Sequence, residues 1–193
     1  MSRIVVINHL TLDGVMQAPG RPDEDRRGGF EHGGWAPPYA DEVMASFMAK
    51  GIEQGGTMLF GRRTYEQFAS YWPHQPDDNP YAAVLNSRQK YVVSTMLSDP
   101  LPWANSTLLD GVQSVAALKE RPGGDIVVLG SGELSGSLMR HDLIDEYVLS
   151  IHPIVLGSGR RLFPEGSPFA KLRLVDSVTT TTGVVIGTFR RNA

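Results

Sequence analysis

A chain of 193 residues with 41% apolar and 20% charged side chains has the size and composition of one globular domain. A net charge of −3 and a pI near 5.9 argue against a general nucleic-acid binder, and the absence of cysteine excludes disulfides, thiolate metal sites and thiol chemistry. No run nears the roughly 20 apolar residues of a membrane span, and the N-terminus lacks a signal peptide's apolar core. A cytoplasmic protein is therefore expected, with a small-molecule substrate and neither nucleic acid nor membrane as partner.

The elements alternate along the chain. Residues 4–7, Ile-Val-Val-Ile, are a β-branched run read as a buried strand. Residues 13–38 are rich in Gly, Pro and charge and have no periodicity; so long an irregular segment inside a domain is usually functional or disordered. Over 39–53, Val43, Met44, Phe47, Met48 and Ile52 recur at helical spacing and predict an amphipathic helix. A strand at 57–60 breaks at Gly61 and runs straight into a helix at 62–68, with a Pro-, Asp- and Asn-rich loop through Pro80. Strands at 90–94 and 106–109 follow, then a helix at 113–121 stopped by Pro122-Gly123-Gly124. A third buried-type strand at 125–130 leads into Ser131-Gly132-Glu133-Leu134 and a helix ending near Arg140. Residues 146–155 form a further strand, and 172–181 and 184–189 alternate around Thr182-Gly183 as a terminal hairpin. Strands separated by helices, then an antiparallel pair, predict one α/β domain over 1–193 with a sheet of mixed direction.

Three strand ends carry glycine or hydroxyl groups. At Gly61-Arg62-Arg63-Thr64 a helix start offers unpaired N–H groups and a positive dipole end. The glycine admits close approach, and two arginines add forked donors suited to phosphate oxygens. Ser94-Thr95 closes the strand at 90–94, and Gly130-Ser131-Gly132-Glu133-Leu134 closes the third strand. Each has a plain alternative as turn, cap or solvated charge. Together they could grip a dinucleotide outside the carboxyl ends of an open sheet. The six-residue G-x-G-x-x-G fingerprint is missing after the first strand, which argues against a Rossmann dehydrogenase.

Within 28–35, Trp35 flanked by glycines either stacks over a flat heterocycle or packs on the helix that follows, and Glu31 and His32 are candidate proton carriers. Asp41 and Glu42 are either substrate-side acids or first-turn acids favoured by the helix dipole. Asp13-Gly14 is either a catalytic acid or an Asp-Gly turn. His152, before Pro153 at a strand end, is read as structural; His74 and His141 carry no signal. No His/Asp/Glu cluster has metal-ligand spacing, and no G-x-S-x-G elbow marks a hydrolase.

The ordered set of Thr11-Leu12-Asp13-Gly14, Phe60-Gly61-Arg62-Arg63-Thr64-Tyr65-Glu66, Lys90-Tyr91-Val92-Val93-Ser94, Leu129-Gly130-Ser131-Gly132-Glu133-Leu134 and Pro153-Ile154-Val155-Leu156-Gly157-Ser158-Gly159-Arg160-Arg161-Leu162-Phe163 resembles the dihydrofolate reductase superfamily. Its branch similar to the riboflavin-biosynthesis (RibD) C-terminal reductase domain matches best. The resemblance implies a three-layer fold, a mostly parallel sheet of about eight strands with a C-terminal antiparallel hairpin. It implies NADPH bound in an extended pose. Gly61, Arg62, Arg63 and Thr64 would hold its pyrophosphate and 2′-phosphate end, and Ser94 and Thr95 the 2′-phosphate or adenine side. Gly130, Ser131, Gly132, Glu133 and Leu134 would wrap the pyrophosphate and nicotinamide ribose, with His9 and Met16 near the nicotinamide. Asp13 would act at the reduced carbon, and Glu31, His32, Trp35 and Asp41 would face substrate. A reductase of a ring-opened ribosylamino-pyrimidine or another C=N heterocycle is implied, with pterin reduction or NADPH sensing without turnover as alternatives. The deaminase domain that usually accompanies the riboflavin enzyme is absent from this chain. A homodimer built on the C-terminal half is expected.

Overall fold

The computed structural model describes residues 1–54, 56–76 and 78–191. Among them the chain forms eight strands and five α-helices: β1 (Ile4–Thr11), α1 (Glu42–Gln54), β2 (Thr57–Gly61), α2 (Arg62–Tyr71), α3 (Pro80–Ser87), β3 (Lys90–Val93), β4 (Ser106–Leu109), α4 (Val112–Lys119), β5 (Ile126–Leu129), α5 (Gly132–Arg140), β6 (Glu146–His152), β7 (Leu172–Thr179) and β8 (Val185–Arg191). The strands form one sheet in the order β4-β3-β2-β5-β1-β6-β8-β7. Pairing is parallel from β4 to β6 and antiparallel at β6–β8 and β8–β7. The expected three-layer α/β fold, with a mostly parallel sheet ending in an antiparallel pair, is present.

Strand β1 lies near the middle of the sheet because both of its faces are apolar. Val5 and Ile7 pack towards α1 with Met44, Phe47, Met48, Val184 and Ile186. Ile4 and Val6 face the other way, towards Val115 and Leu118 of α4 and Leu134 and Leu138 of α5. The strand continues four residues beyond its β-branched run, because β6 pairs with it as far as Thr11↔His152. Strand β6 stops before Pro153, which has no N–H to give a ladder. A second apolar cluster, Met58, Phe60, Tyr65, Leu85, Val92 and Trp103, seats α2 and α3.

The predicted loop through Pro80 leads into a helix, α3, that the sequence reading passed over. Its start is marked by Asn79, whose side chain accepts from the Tyr81 and Ala82 N–H groups, followed by proline at the first helical position. Residue 77 of that loop and the side chain of Ile52 lie outside the described residues. Helix α1 begins at Glu42 rather than at the predicted 39, because Asp41 caps it through Met44 N–H at 2.8 Å. The segment 13–38 is largely irregular yet packed: Val15, Ala18, Phe30, Trp35 and Ala36 form a small core of their own. No helix of the described residues is long and apolar enough to cross a membrane.

Candidate active site

The carboxyl ends of β2 and β5 lie side by side, and each leads straight into a helix. Gly61 precedes α2 and supplies no side-chain cap; Ser131 precedes α5 and supplies none either. The first-turn N–H groups of two neighbouring helices therefore lack intrahelical partners, with both positive dipole ends at the same edge. Three hydrogen bonds lock the elbows together. Gly61 N–H donates to Ser131 Oγ at 3.1 Å, the Ser131 hydroxyl to the Leu129 carbonyl at 3.1 Å, and Ser131 N–H to Thr64 Oγ1 at 3.2 Å. Gly130 and Ser131 both take positive φ, 56° and 53°. For serine that conformation is disfavoured by roughly 1 kcal/mol, which the three bonds offset.

Arginines converge above these helix starts. One carboxylate oxygen of Glu133 accepts from Arg63 of α2 at 3.0 Å, from Arg27 of the 13–38 segment at 3.2 Å and from Arg160 after β6 at 2.9 Å. Arg27 is also paired through two nitrogens with Asp25, which raises the guanidinium further and holds the Asp25 carboxyl below its ordinary range. Arg62 folds back on Glu66 one turn along. The cluster of Arg27, Arg63 and Arg160 against Asp25 and Glu133 keeps one net positive charge. An anionic ligand has helix N–H groups and guanidinium forks available together.

A cleft of about 1510 Å³ runs over the α1 and α2 face of the sheet and continues past the far strand ends to Arg3, Asp125 and Glu146. At the carboxyl ends it is lined by His9, Met16, Thr64, Gly130, Ser131, Gly132 and Glu133, with Met44 and Met48 of α1 opposite. His9 pairs with His152, Nδ1 to Nε2 at 3.0 Å. His152 is fully buried, in edge contact with Trp35 and Tyr39. Burial, and to a lesser extent His9, pushes the His152 imidazole down to about 4, and burial lowers His9 as well.

Of the candidates named from sequence, His9, Met16, Asp41, Thr64 and the Gly130–Glu133 stretch line this cleft, while Gly61 is bonded to Ser131 and Arg63 to Glu133 beside it. Leu134 is in the core, so only its backbone is near. Ser94 lies at the end of β3 and its Oγ accepts from the Met96 and Leu97 N–H groups; Thr95 is exposed. Asp13 is not brought to the cleft. Its carboxylate accepts from the Thr11 hydroxyl at 2.6 Å and from Leu156 and Gly157 N–H at 3.2 and 2.9 Å. The Thr11 bond above all, opposed in part by burial and helped by the two backbone bonds, holds it down at about 2. Asp41 is spent as a cap and on Thr181, whose N–H and hydroxyl both donate at 2.6 Å. Trp35 is buried with its Nε1–H donating to the Gln17 carbonyl at 2.8 Å, so it packs rather than covers. Glu31 and His32 are exposed, His32 lying edge-on to Phe30.

Sequence reasoning missed Arg27, Arg160 and Gln17. Gln17 is buried and ties the 13–38 segment to the strand-β6 exit through Arg27, Asp25 and Arg160 backbone groups. The Arg160-Arg161 pair stood inside a quoted motif, but Arg27 had no local signal, since only the fold brings it to Glu133.

The chain matches the RibD C-terminal domain over residues 3–186. The Bacillus subtilis (strain 168) protein YyaP is 29% identical over 189 residues, covering 95% of this chain and 92% of its own length. YwjB of the same organism is 32% identical over 120 residues, 61% of this chain and 64% of that protein. Among solved structures, a Shewanella sp. PV-4 protein named for riboflavin biosynthesis superposes with a TM-score of 0.67 at 23% identity over the full length of both chains. Enterococcus faecalis dihydrofolate reductase, solved with NADP(H), gives 0.61 at 16% identity over 99% of this chain and 97% of that one. A pyrimidine reductase-like protein of Corynebacterium diphtheriae gives 0.65 at 12% identity over 100% and 92%. At these identities the structures share the fold.

Proposed function

Because the chain belongs to the RibD C-terminal domain family, we propose that it is an NADPH-dependent oxidoreductase acting on a C=N bond of a small heterocycle, with a ring-opened ribosylamino-pyrimidine as the leading candidate. The observation that supports this best is the pair of uncapped helix starts at Gly61 and Ser131 beneath Arg27, Arg63 and Arg160. That donor set fits a dinucleotide carrying a diphosphate and a further phosphate. When bound, NADPH supplies the hydride. The α5 first turn and Thr64 would hold its diphosphate, and Arg63 with Arg62 its 2′-phosphate. Met16 against Gly132, and His9 on β1, would flank the nicotinamide end. The arginines exchange the Glu133 oxygen for ligand oxygens, so recognition needs Glu133 to turn aside. The substrate lies between β1 and α1, where Met44 and Met48 exclude water.

Reduction of a pterin is less well supported, because Asp41, just before α1, already accepts from Met44 N–H and from Thr181. Titrating the protein with NADPH and NADH, then following NADPH absorbance against a panel of pyrimidines and pterins, tests the reading. NADPH is expected to bind at least tenfold more tightly and to be oxidised by a pyrimidine. Equal binding would refute the adenine-end assignment, and tight binding without oxidation of any panel member would leave a sensor.

A further inference from the structure

The buried pair His9–His152 is not explained by cofactor binding. His9 stands on the α1 face of β1, mostly buried but lining the cleft, while His152 at the end of β6 is fully buried. Their single contact joins His9 Nδ1 to His152 Nε2 at 3.0 Å. The other nitrogen of His152, Nδ1, is buried with no hydrogen-bond partner among the described residues. No partner within the described residues is recorded for His9 Nε2.

Two arrangements satisfy the contact. If His9 Nδ1–H donates, neutral His152 must carry its proton on Nδ1, as a buried N–H with nothing to receive it. If His152 Nε2–H donates, the buried Nδ1 is only a lone pair and His9 carries its proton on Nε2. Orphaned buried N–H groups are rarer than under-satisfied acceptors, which selects the second arrangement. Protonating both rings is disfavoured by the same burial, in a shell where Trp35 and Tyr39 turn ring edges or faces to His152. Tyr39 is the titratable group in ring contact with His152, 5.4 Å between centroids; Asp41 follows it at the α1 start, and Asp13 is bonded to Thr11, the register partner of His152. The Asp41 carboxylate is taken up by Met44 and Thr181.

We infer that His152 is a positioning residue that fixes His9 as a neutral Nε2–H donor facing the cleft, and that the substrate therefore presents a hydrogen-bond acceptor, a ring nitrogen or carbonyl oxygen, at the bond being reduced. This rests on the reductase reading above. Hydride addition to the carbon of a C=N bond moves the electron pair onto nitrogen, which then takes a proton from water while the nicotinamide is oxidised. His9 keeps its own proton and hydrogen-bonds the atom where negative charge develops, an interaction stronger in the transition state than in the ground state.

Long-range ¹H–¹⁵N correlation spectra of the full chain at neutral pH test the first half without cofactor. The His9 ring is expected to show a protonated Nε2 and an unprotonated Nδ1. His152→Gln, whose amide nitrogen can still donate, should keep that pattern, whereas His152→Phe should leave His9 in a mixture of tautomers. A proton on His9 Nδ1 in the unmodified protein, or an unchanged His9 in His152→Phe, overturns the proposal. Pyrimidin-4-one added at millimolar concentration should move the His9 Nε2–H signal in the unmodified protein and in His152→Gln. No movement overturns the acceptor contact. Because neither spectrum uses NADPH, a failed NADPH titration would sink the reductase reading by itself and leave the tautomer result standing.

Discussion

At the scale of single residues, Asp13 and His152 both lose stabilising contributions as pH falls, but over different ranges that can be read separately. The His152 imidazole is held near 4 against an ordinary 6.5, so the unfolded chain takes up the proton first. The stability it contributes is present above about pH 6.5, falls as the pH drops towards 4, and changes no further below; the full loss is of order 3 kcal/mol. Asp13, held near 2, keeps its charge through that window and loses its contribution only as pH falls further. Denaturant titrations from pH 7.5 to 4 should show the decline, and His152→Phe should flatten it. A profile in His152→Phe that still falls by the same amount would assign the decline elsewhere. Asp13→Asn should lower stability by roughly 1–3 kcal/mol, because an amide donor would face the Leu156 or Gly157 N–H. NADPH affinity should be unchanged. A variant of full stability and reduced turnover would return Asp13 to the site.

At the scale of elements, the β2–α2 and β5–α5 turns act as one unit, since Ser131 is bonded to Gly61, Leu129 and Thr64 at once. Gly61 provides a clean test of what that unit is for. Its φ of −78° suits any residue, and an added Cβ would meet nothing closer than Leu134 Cβ at 3.5 Å. Gly61→Ala should therefore leave stability within about 0.5 kcal/mol of the parent. If the backbone there lies against a cofactor, NADPH affinity should fall at least tenfold. Unchanged affinity by calorimetry would remove Gly61 from the site. Arg63→Ala removes one guanidinium from the cluster on Glu133 and should weaken NADPH more than NADH, by roughly 1.5–3 kcal/mol if the lost bond is to phosphate. An unchanged ratio of the two affinities would put the 2′-phosphate elsewhere.

At the scale of the whole molecule, the exposed apolar surface is uneven. Val155, Phe163, Phe169, Leu174 and Val185 are all exposed large apolar residues of the C-terminal half, Phe169 at 86%. Leu174 lies on β7 and Phe169 shortly before it; β7 is a terminal strand whose outer edge has no strand partner among the described residues. Apolar side chains beside an open edge are a common setting for association. We expect a homodimer through this region: light scattering at micromolar concentration should give about twice 21.1 kDa, and Phe169→Asp with Leu174→Asp should return the monomer. A mass near 21.1 kDa that persists on concentrating the unmodified protein would exclude the dimer.

The strand and helix order, the mixed sheet and the two glycine-marked strand ends were legible in the sequence, because each rests on local periodicity and turn chemistry over a few residues. Helix α3 could have been read from Asn79-Pro80, a cap and first-turn proline hidden among loop-like neighbours. Candidate roles for Asp13, Asp41 and Trp35 remained open between chemistry and structure, since an acid or indole looks the same in sequence whichever partners it finds. Their partners lie far along the chain: Leu156 and Gly157 for Asp13, Thr181 for Asp41, His152 for Trp35. The meeting of Arg27, Arg63 and Arg160 on Glu133, and of His9 with His152, was decided by the tertiary structure alone. Side chains 143 residues apart become neighbours there because β1 and β6 pair in parallel, and no short-range pattern encodes that register.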